Sequence, residues 1–377
     1  MQREEMAGWL RLALTPGVGN TAARRLLAAF GLPAEIFERP LEALEQVVGS
    51  RRALALQIEP PELAELLPTT LDWLAQATEA CGRWVITLAD AGYPRALLNT
   101  EDPPLMLYVM GQLPASWPQA ISVVGSRNPT PQGVANARTF ARAFAQAGLT
   151  VVSGLAMGVD AAAHEGALEG AGPQQLPTIA VVGTGLDRVY PRQHLQLCHR
   201  IAGNGLIVSE YPLGTPPLAQ NFPKRNRIIA ALSEGCVVVE ATLKSGSLIT
   251  AKQAAEQGKD VFAIPGSIHS PQARGCHALL KEGAKLVETP QEVLEEMPRL
   301  AARSLCRDTV SQGPEPSESG VESGLLKAIG FDPVTLDSLV SRTGVAASEL
   351  QAKLLELELD GELARLPGGL FQRVCAA

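Results

Sequence analysis

Cysteine pairs, long apolar runs, aromatics and an excess of positive charge are all missing or scarce in this sequence of 377 residues. The six cysteines, at positions 81, 198, 236, 276, 306 and 375, lie far apart and form no C-x-x-C motif or Cys/His cluster. That spacing suits a reducing cytoplasm and gives no support for a structural zinc, so no metal and no cofactor is expected. No apolar stretch approaches the ~18 residues that a membrane span needs. The start of the chain, Met1-Gln-Arg-Glu-Glu-Met6, is polar and acidic, unlike a signal peptide. The expectation is a soluble, cytoplasmic protein. Lys and Arg number 32 against 39 Asp and Glu, a net charge of −7. Taken over the whole chain, that balance speaks against a polyanionic partner.

Charge taken by segment says something different. Residues 1–120 carry 9 basic and 14 acidic groups, whereas residues 121–300 carry 16 and 14, so the middle alone is positive. Hydrophobic residues make up 46% and charged residues 19%, which excludes a largely disordered chain. The length suits two or three domains.

The middle has the rhythm of a parallel α/β sheet. Short β-branched runs recur at Ile121–Val124, Leu149–Val152, Thr178–Val182, Leu206–Val208, Cys236–Val239, Val261–Ile264 and Lys285–Val287. Helix-length stretches such as 132–147 and 247–258 lie between them. Strands apolar on both faces require helices on both sides of the sheet. The fold expected is therefore α/β, an extended Rossmann-like doubly wound sheet over 81–302, lengthened at its front by Trp84–Leu88 and Leu105–Val109. Residues 1–80 read as all-helical, 303–324 as a solvated linker, and 325–377 as three helices and a hairpin, the pattern of a winged helix.

Nearly every strand of the middle segment exits into Gly, Ser or charge, as at Gly125-Ser126-Arg127, Ser153-Gly154, Gly183-Thr-Gly185 and Glu240-Ala-Thr-Leu-Lys-Ser-Gly-Ser247. In open parallel sheets ligands bind beyond the strand carboxyl ends, and Gly lets an anion approach backbone N–H groups at a following helix N-terminus. One such loop is ordinary turn chemistry; several on one edge predispose that edge to hold phosphate. A P-loop is absent, and Gly183-x-Gly185 lacks the third glycine of a dinucleotide fingerprint. Gly17-Val-Gly19-Asn-Thr-Ala22 has the right spacing but helical flanks instead of a strand. The densest basic element is Phe222-Pro-Lys-Arg-Asn-Arg-Ile-Ile229, read as opening a helix just after Pro223. Cations there oppose the helix dipole, which makes sense if an anion occupies the site; structural ion pairs with Glu210 and Glu240 are the alternative. No nucleophile–base set stands out, and His194 and His199, five apart, do not share a helical face. The pattern favours binding over catalysis.

These residues resemble the DNA-processing protein A (DprA/Smf) family. The resemblance rests on Val124-Gly-Ser-Arg127, Ser153-Gly-Leu-Ala-Met-Gly-Val-Asp160 with His164, Tyr190-Pro191, Ser209-Glu210, Phe222–Ala230, Val238-Val-Glu-Ala241, Ser245–Ala251, Phe262–Gly266 and Gly275-Cys276. His194 and His277 stand where the family usually has Asn. The resemblance implies a single-stranded DNA-binding protein of natural transformation that protects incoming strands and loads RecA onto them. It implies a homodimer through the Rossmann-like domain and no enzymatic activity. The residues implied to hold DNA are Gly125, Ser126, Arg127, Phe222, Lys224, Arg225, Asn226, Arg227, Lys244, Ser245 and Gly246, with Tyr190 a second aromatic open to stacking or to the core. Leu14–Arg25 looks like a helix-hairpin-helix, with a sterile-alpha-motif-like packing role the alternative. The acidic third helix of the winged unit points to a protein partner. The competing reading is a nucleotide-processing enzyme related to phosphoribohydrolases, whose Pro-Gly-Gly-x-Gly-Thr-x-x-Glu loop is missing here.

Overall fold

The structure, a computed structural model, describes residues 2–297, 324–330, 332–366 and 368–374. Except for Gly324, the expected linker lies outside them, as does the expected boundary at 302. Nine strands form one sheet: β1 (Gly82–Thr87), β2 (Met106–Gly111), β3 (Ala120–Val124), β4 (Thr150–Ser153), β5 (Thr178–Val181), β6 (Leu206–Ser209), β7 (Gly235–Val238), β8 (Asp260–Ala263) and β9 (Lys285–Leu286). Their order is β1-β2-β6-β5-β4-β3-β7-β8-β9. From β6 to β9 every neighbour pair is parallel, while β1 pairs antiparallel with β2 and β2 with β6. The chain runs outward from β3 through β4, β5 and β6, then returns to place β7 on the other side of β3. That reversal creates a topological switch point between β3 and β7.

Period-2 alternation divides the core. Ile121, Val123, Val237 and Val239 face one layer, with Phe140 and Phe144 of helix Pro131–Gln146. Val124, Cys236 and Val238 face the other, with Ile228 of helix Asn221–Leu232 and Ala251 of helix Ser247–Glu256. Both faces are covered, as continuous apolar strands require. Helix Asn221–Leu232 starts two residues before Pro223, so this proline sits in the first turn, where its missing N–H costs no helical bond.

Ahead of the sheet lie six helices, Arg3–Leu14, Asn20–Phe30, Pro33–Phe37, Leu41–Val48, Ser50–Leu56 and Leu63–Ala75. Trp9, Leu26, Ile36 and Leu44 form their core, which continues into Met106 and Tyr108 of β2. Trp73 meets Tyr108 edge-on at 6.0 Å between centroids. The last described residues form helices Gly324–Ile329, Leu336–Thr343 and Ala347–Leu359 and the hairpin β11 (Leu363–Leu366) and β12 (Leu370–Arg373), with β10 (Val334–Thr335) beside β12. On Ala347–Leu359 the single lysine, Lys353, is paired with Glu349 at 2.8 Å, which leaves that helix face acidic. Among the described residues no helix is long and apolar enough to cross a membrane.

Candidate nucleic-acid interface at the strand ends

A crevice of about 620 Å³ opens beyond the carboxyl ends of β3 and β7. One wall is Gly125-Ser126-Arg127-Asn128 from β3; the other is Thr242 and Lys244-Ser245-Gly246 from β7. Phe222, Arg225 and Asn226 form the floor between them, and Tyr190 closes one end. Gly125 is required by close approach: a Cβ there would lie 2.9 Å from the Glu240 carbonyl oxygen and 2.8 Å from the Val159 side chain. The two walls are therefore held together at backbone distance. Ser126 is buried; its hydroxyl accepts from the Asn128 N–H at 3.1 Å and its carbonyl from the Val159 N–H at 3.1 Å. It shapes the turn that carries Arg127.

The basic candidates separate into four situations. Arg127 and Lys244 are exposed on opposite walls of the crevice, and among the described residues neither has a carboxylate within ion-pair distance. The Arg127 guanidinium lies 5.6 Å from the Phe222 ring centroid, and Phe222 meets Tyr190 at 5.4 Å with a 34° tilt. This cation–aromatic–aromatic row is at the surface, since Tyr190 is 45% exposed; neither ring is simply core filling. Arg225 is buried beneath the crevice. Its guanidinium donates to the carbonyls of Gly154 (2.6 Å) and Val181 and to the Asn226 side-chain oxygen (3.0 Å). Asn226 in turn donates to the Gly246 carbonyl at 3.1 Å, tying the helix to the loop of Lys244. Arg227 is paired with Glu210 and lies 3.6 Å from Asp102, the structural ion pair that competed with anion binding at this position. Lys224 is exposed but faces a different cavity. The six-residue basic block thus spreads over the crevice floor, a buried strut, an ion pair and a separate cleft, because successive helical residues point about 100° apart.

Two buried groups that sequence reading left without a role hold the loop after β4. Asp160 accepts from the N–H groups of Gly154 (3.1 Å) and Ala156 (3.3 Å). Burial pushes its pKa up, and the Arg225 charge and these bonds pull it back. His164 is fully buried; its Nε2 accepts from the Leu155 N–H at 3.3 Å and its Nδ1 donates to the Thr178 hydroxyl at 2.6 Å, which itself donates to the Val151 carbonyl. Leu155 has φ of 56°, a left-handed conformation that costs a branched residue roughly 1–2 kcal/mol. His194 Nδ1 holds the Leu155 carbonyl at 3.1 Å, and His277 Nε2 the Gly266 carbonyl at 3.0 Å. Each of these two histidines donates one ring N–H to a backbone carbonyl, a bond an asparagine amide also makes. Gln272, which joins the walls by donating to the Asn128 carbonyl at 2.9 Å, carried no sequence signal.

Glu240 decides what the crevice does not do. Its carboxylate accepts from the Thr130 N–H (2.9 Å) and hydroxyl (2.6 Å) at the start of helix Pro131–Gln146. That helix follows the first strand of the wound sheet, the place where dinucleotide-binding folds seat a pyrophosphate. Here the chain's own carboxylate occupies it, and the corresponding oxygen position is closed to a phosphate. Burial pushes the Glu240 pKa up, while the two bonds from Thr130 favour the ionised form.

Comparison with known proteins agrees with this architecture. The sequence model described as DNA recombination-mediator protein A matches residues 84–298, and that of the DprA winged helix domain matches residues 310–369. Protein Smf of Escherichia coli is 40% identical over 315 residues, covering 82% of each chain. Protein Smf of Synechocystis sp. is 33% identical over 417 residues, covering 99% of this chain and all of the relative. The X-ray structure of DNA processing protein A from Streptococcus pneumoniae superposes with a TM-score of 0.65 at 36% identity, over 79% of this chain and 98% of that one. DNA processing protein A from Helicobacter pylori, whose structure addresses its single-stranded DNA binding mode, gives 0.51 at 33% identity over 57% and 96%. The chain belongs to the DNA recombination-mediator protein A family, with a winged helix of the DprA type at its C-terminal end.

Proposed function

We propose that this protein binds single-stranded DNA in the crevice between the β3 and β7 exits, protects it, and passes it to a RecA recombinase. The supporting observation is the pair of exposed, unpaired cations, Arg127 and Lys244, facing each other across a glycine-lined groove beside the Phe222–Tyr190 pair. Phosphates sit on the cations and on the N–H groups of Gly125 and Gly246, and the rings accept base faces without selecting among them. Arg225 and Asn226 set the spacing of the walls, and Arg227 acts through its pair with Glu210. The homodimer through the Rossmann-like domain belongs to the same proposal.

A nucleotide-processing enzyme fits less well. The buried titratable groups near the crevice are consumed by structural bonds, and Glu240 fills the helix N-terminus that a nucleotide phosphate would use. The test is binding of an unstructured oligonucleotide across a salt series for the wild type, Arg127→Ala and Lys244→Ala. On single strands log K falls by ~0.7 per phosphate contact for each decade of salt, so each variant should shallow the slope by about that amount. Identical slopes in all three proteins would remove the crevice from the DNA interface. Release of free base from a nucleoside monophosphate by pure protein would favour the enzyme instead.

A further inference from the structure

The winged unit presents a face that suits neither DNA nor a second copy of itself. On helix Ala347–Leu359, Leu350 and Leu354 are buried in the unit's own core. Ser348, Ala352, Leu355 and Leu359, recurring every three or four residues, share the opposite side and are all exposed. Leu355 is 57% exposed and Leu359 80%; among the described residues of this unit no other large apolar side chain stands out so far. At about 100° per residue, Glu356 lies on one flank of this stripe and Glu358 on the other. Among the described residues neither has a cation within ion-pair distance, and the exposed Asp360 and Glu362 follow. Leucines framed by unpaired carboxylates call for a covering surface that is both apolar and cationic. A phosphate backbone is repelled by this frame. A second copy of the face would set Glu356 and Glu358 against their own equivalents.

The mouth of the crevice has the complementary chemistry. Arg127 and Lys244 stand unpaired on its two walls. Exposed apolar side chains lie beside them: Leu243 directly precedes Lys244, Leu218 falls between the lining residues Pro217 and Ala219, and Tyr190 closes one end. Residues 298–323 join the two units, a length of chain that spans at most about 90 Å, well over the breadth of one domain. Contact between covalently joined units is intramolecular, so a weak one suffices.

Resting on the single-strand reading above, we infer that the winged unit docks this helix face over the crevice of its own chain, and that single-stranded DNA must displace it. Glu356 and Glu358 meet the charges of Arg127 and Lys244, and Leu355 and Leu359 cover the apolar rim. The acidic unit then sets a threshold. A strand that engages both cations and the rings displaces it, whereas a loosely held polyanion does not.

Three double variants of the full chain test this against one short oligothymidylate. Leu355→Gln with Leu359→Gln changes no charge and alters exposed positions, so the unit keeps its fold. Because the free crevice is only a fraction of the docked protein, this variant should bind ~5-fold more tightly than the wild type. Glu356→Gln with Glu358→Gln should gain similarly at low salt, with the gain shrinking as salt rises. Asp332→Asn with Asp337→Asn removes the same charge from exposed positions on other elements and should gain little. In hydrogen exchange, helix Ala347–Leu359 of the wild type should exchange faster once the oligonucleotide is bound, and equally fast without it in the leucine variant. A leucine variant that folds normally and binds no more tightly than the wild type overturns the docking, and leaves the face to a separate cationic protein. A gain in the aspartate variant equal to that of the glutamate variant, with none in the leucine variant, reduces the effect to net charge and overturns it as well. Failure of the crevice reading is separately visible, because Arg127→Ala would then leave oligonucleotide binding unchanged.

Discussion

Replacing Arg225 with methionine should cost about 3–5 kcal/mol of folding stability, more than a surface cation normally contributes. The side chain is buried, and its guanidinium bonds the Gly154 and Val181 carbonyls and the Asn226 side chain. The buried Asp160 carboxylate depends on the same charge. Burial lowers the Arg225 pKa to about 10, which still leaves it protonated at neutral pH. Methionine fills most of the volume but leaves two carbonyls without a donor and one carboxylate without its nearest positive charge. Lysine should rescue little, since one ammonium cannot span three acceptors held in the plane of a guanidinium fork. A Cβ on Gly154 would lie within 2.5 Å of that guanidinium, so the cavity is shaped for this side chain. Urea unfolding followed by circular dichroism checks the prediction. A variant of unchanged stability that had lost only DNA affinity would make Arg225 a direct phosphate ligand, the role its place in the basic block implied.

That contrast shows where sequence reading succeeds and where it stops. The β-branched runs located all nine strands of the large sheet to within two residues, because strands buried on both faces leave a continuous apolar signature. The switch-point loops were readable for the same reason: each follows a strand end, and Gly125-Ser126-Arg127 and Lys244-Ser245-Gly246 do face each other across the crevice. Within Phe222–Arg227, however, burial depends on which helical face meets the sheet, and a six-residue string does not record that. Lys224, Arg225 and Arg227 carry the same charge in sequence and have three different environments in the fold. Glu240 was legible only as a possible ion-pair partner; its actual partner, Thr130, is 110 residues away. Such a contact follows from the winding of the sheet, and no local pattern announces it.

The Glu240–Thr130 contact also bears on the proposed binding of a polymer by a Rossmann-like sheet. In a dinucleotide site the helix N-terminus after the first strand supplies most of the phosphate binding. With a carboxylate in that position, the proposed binding moves to side-chain cations further out on the crevice walls. An open groove with cations at its rim follows a strand better than it encloses a mononucleotide. The whole-chain net charge of −7 is compatible with the proposed site, which needs only a few unpaired cations at one edge of the sheet.

Acid should weaken the fold through His164 before most carboxylates protonate. Burial, with the charges of Arg225 and His194, holds the pKa of this histidine at about 3 against an ordinary 6.5. The unfolded chain therefore binds a proton between those values that the folded chain refuses, so stability rises with pH across the window and is lost as pH falls through it. The slope approaches ~1.4 kcal/mol per pH unit, or about 2 kcal/mol between pH 6.5 and 5. Unfolding free energies of the wild type and His164→Gln at those two pH values isolate the contribution, since the variant has no titrating group at this position. Its stability should be lower at pH 6.5, with the extra pH dependence gone; parallel curves would show that His164 is charged in the fold. Once protonated, Nε2 can no longer accept from the Leu155 N–H, and the left-handed turn after β4 loses one of its two anchors. That turn leads to Val159, whose N–H holds the Ser126 carbonyl beneath Arg127. Oligonucleotide affinity measured down the same pH series should therefore fall in step with stability, because the group that titrates lies under the loop that presents the crevice's first cation.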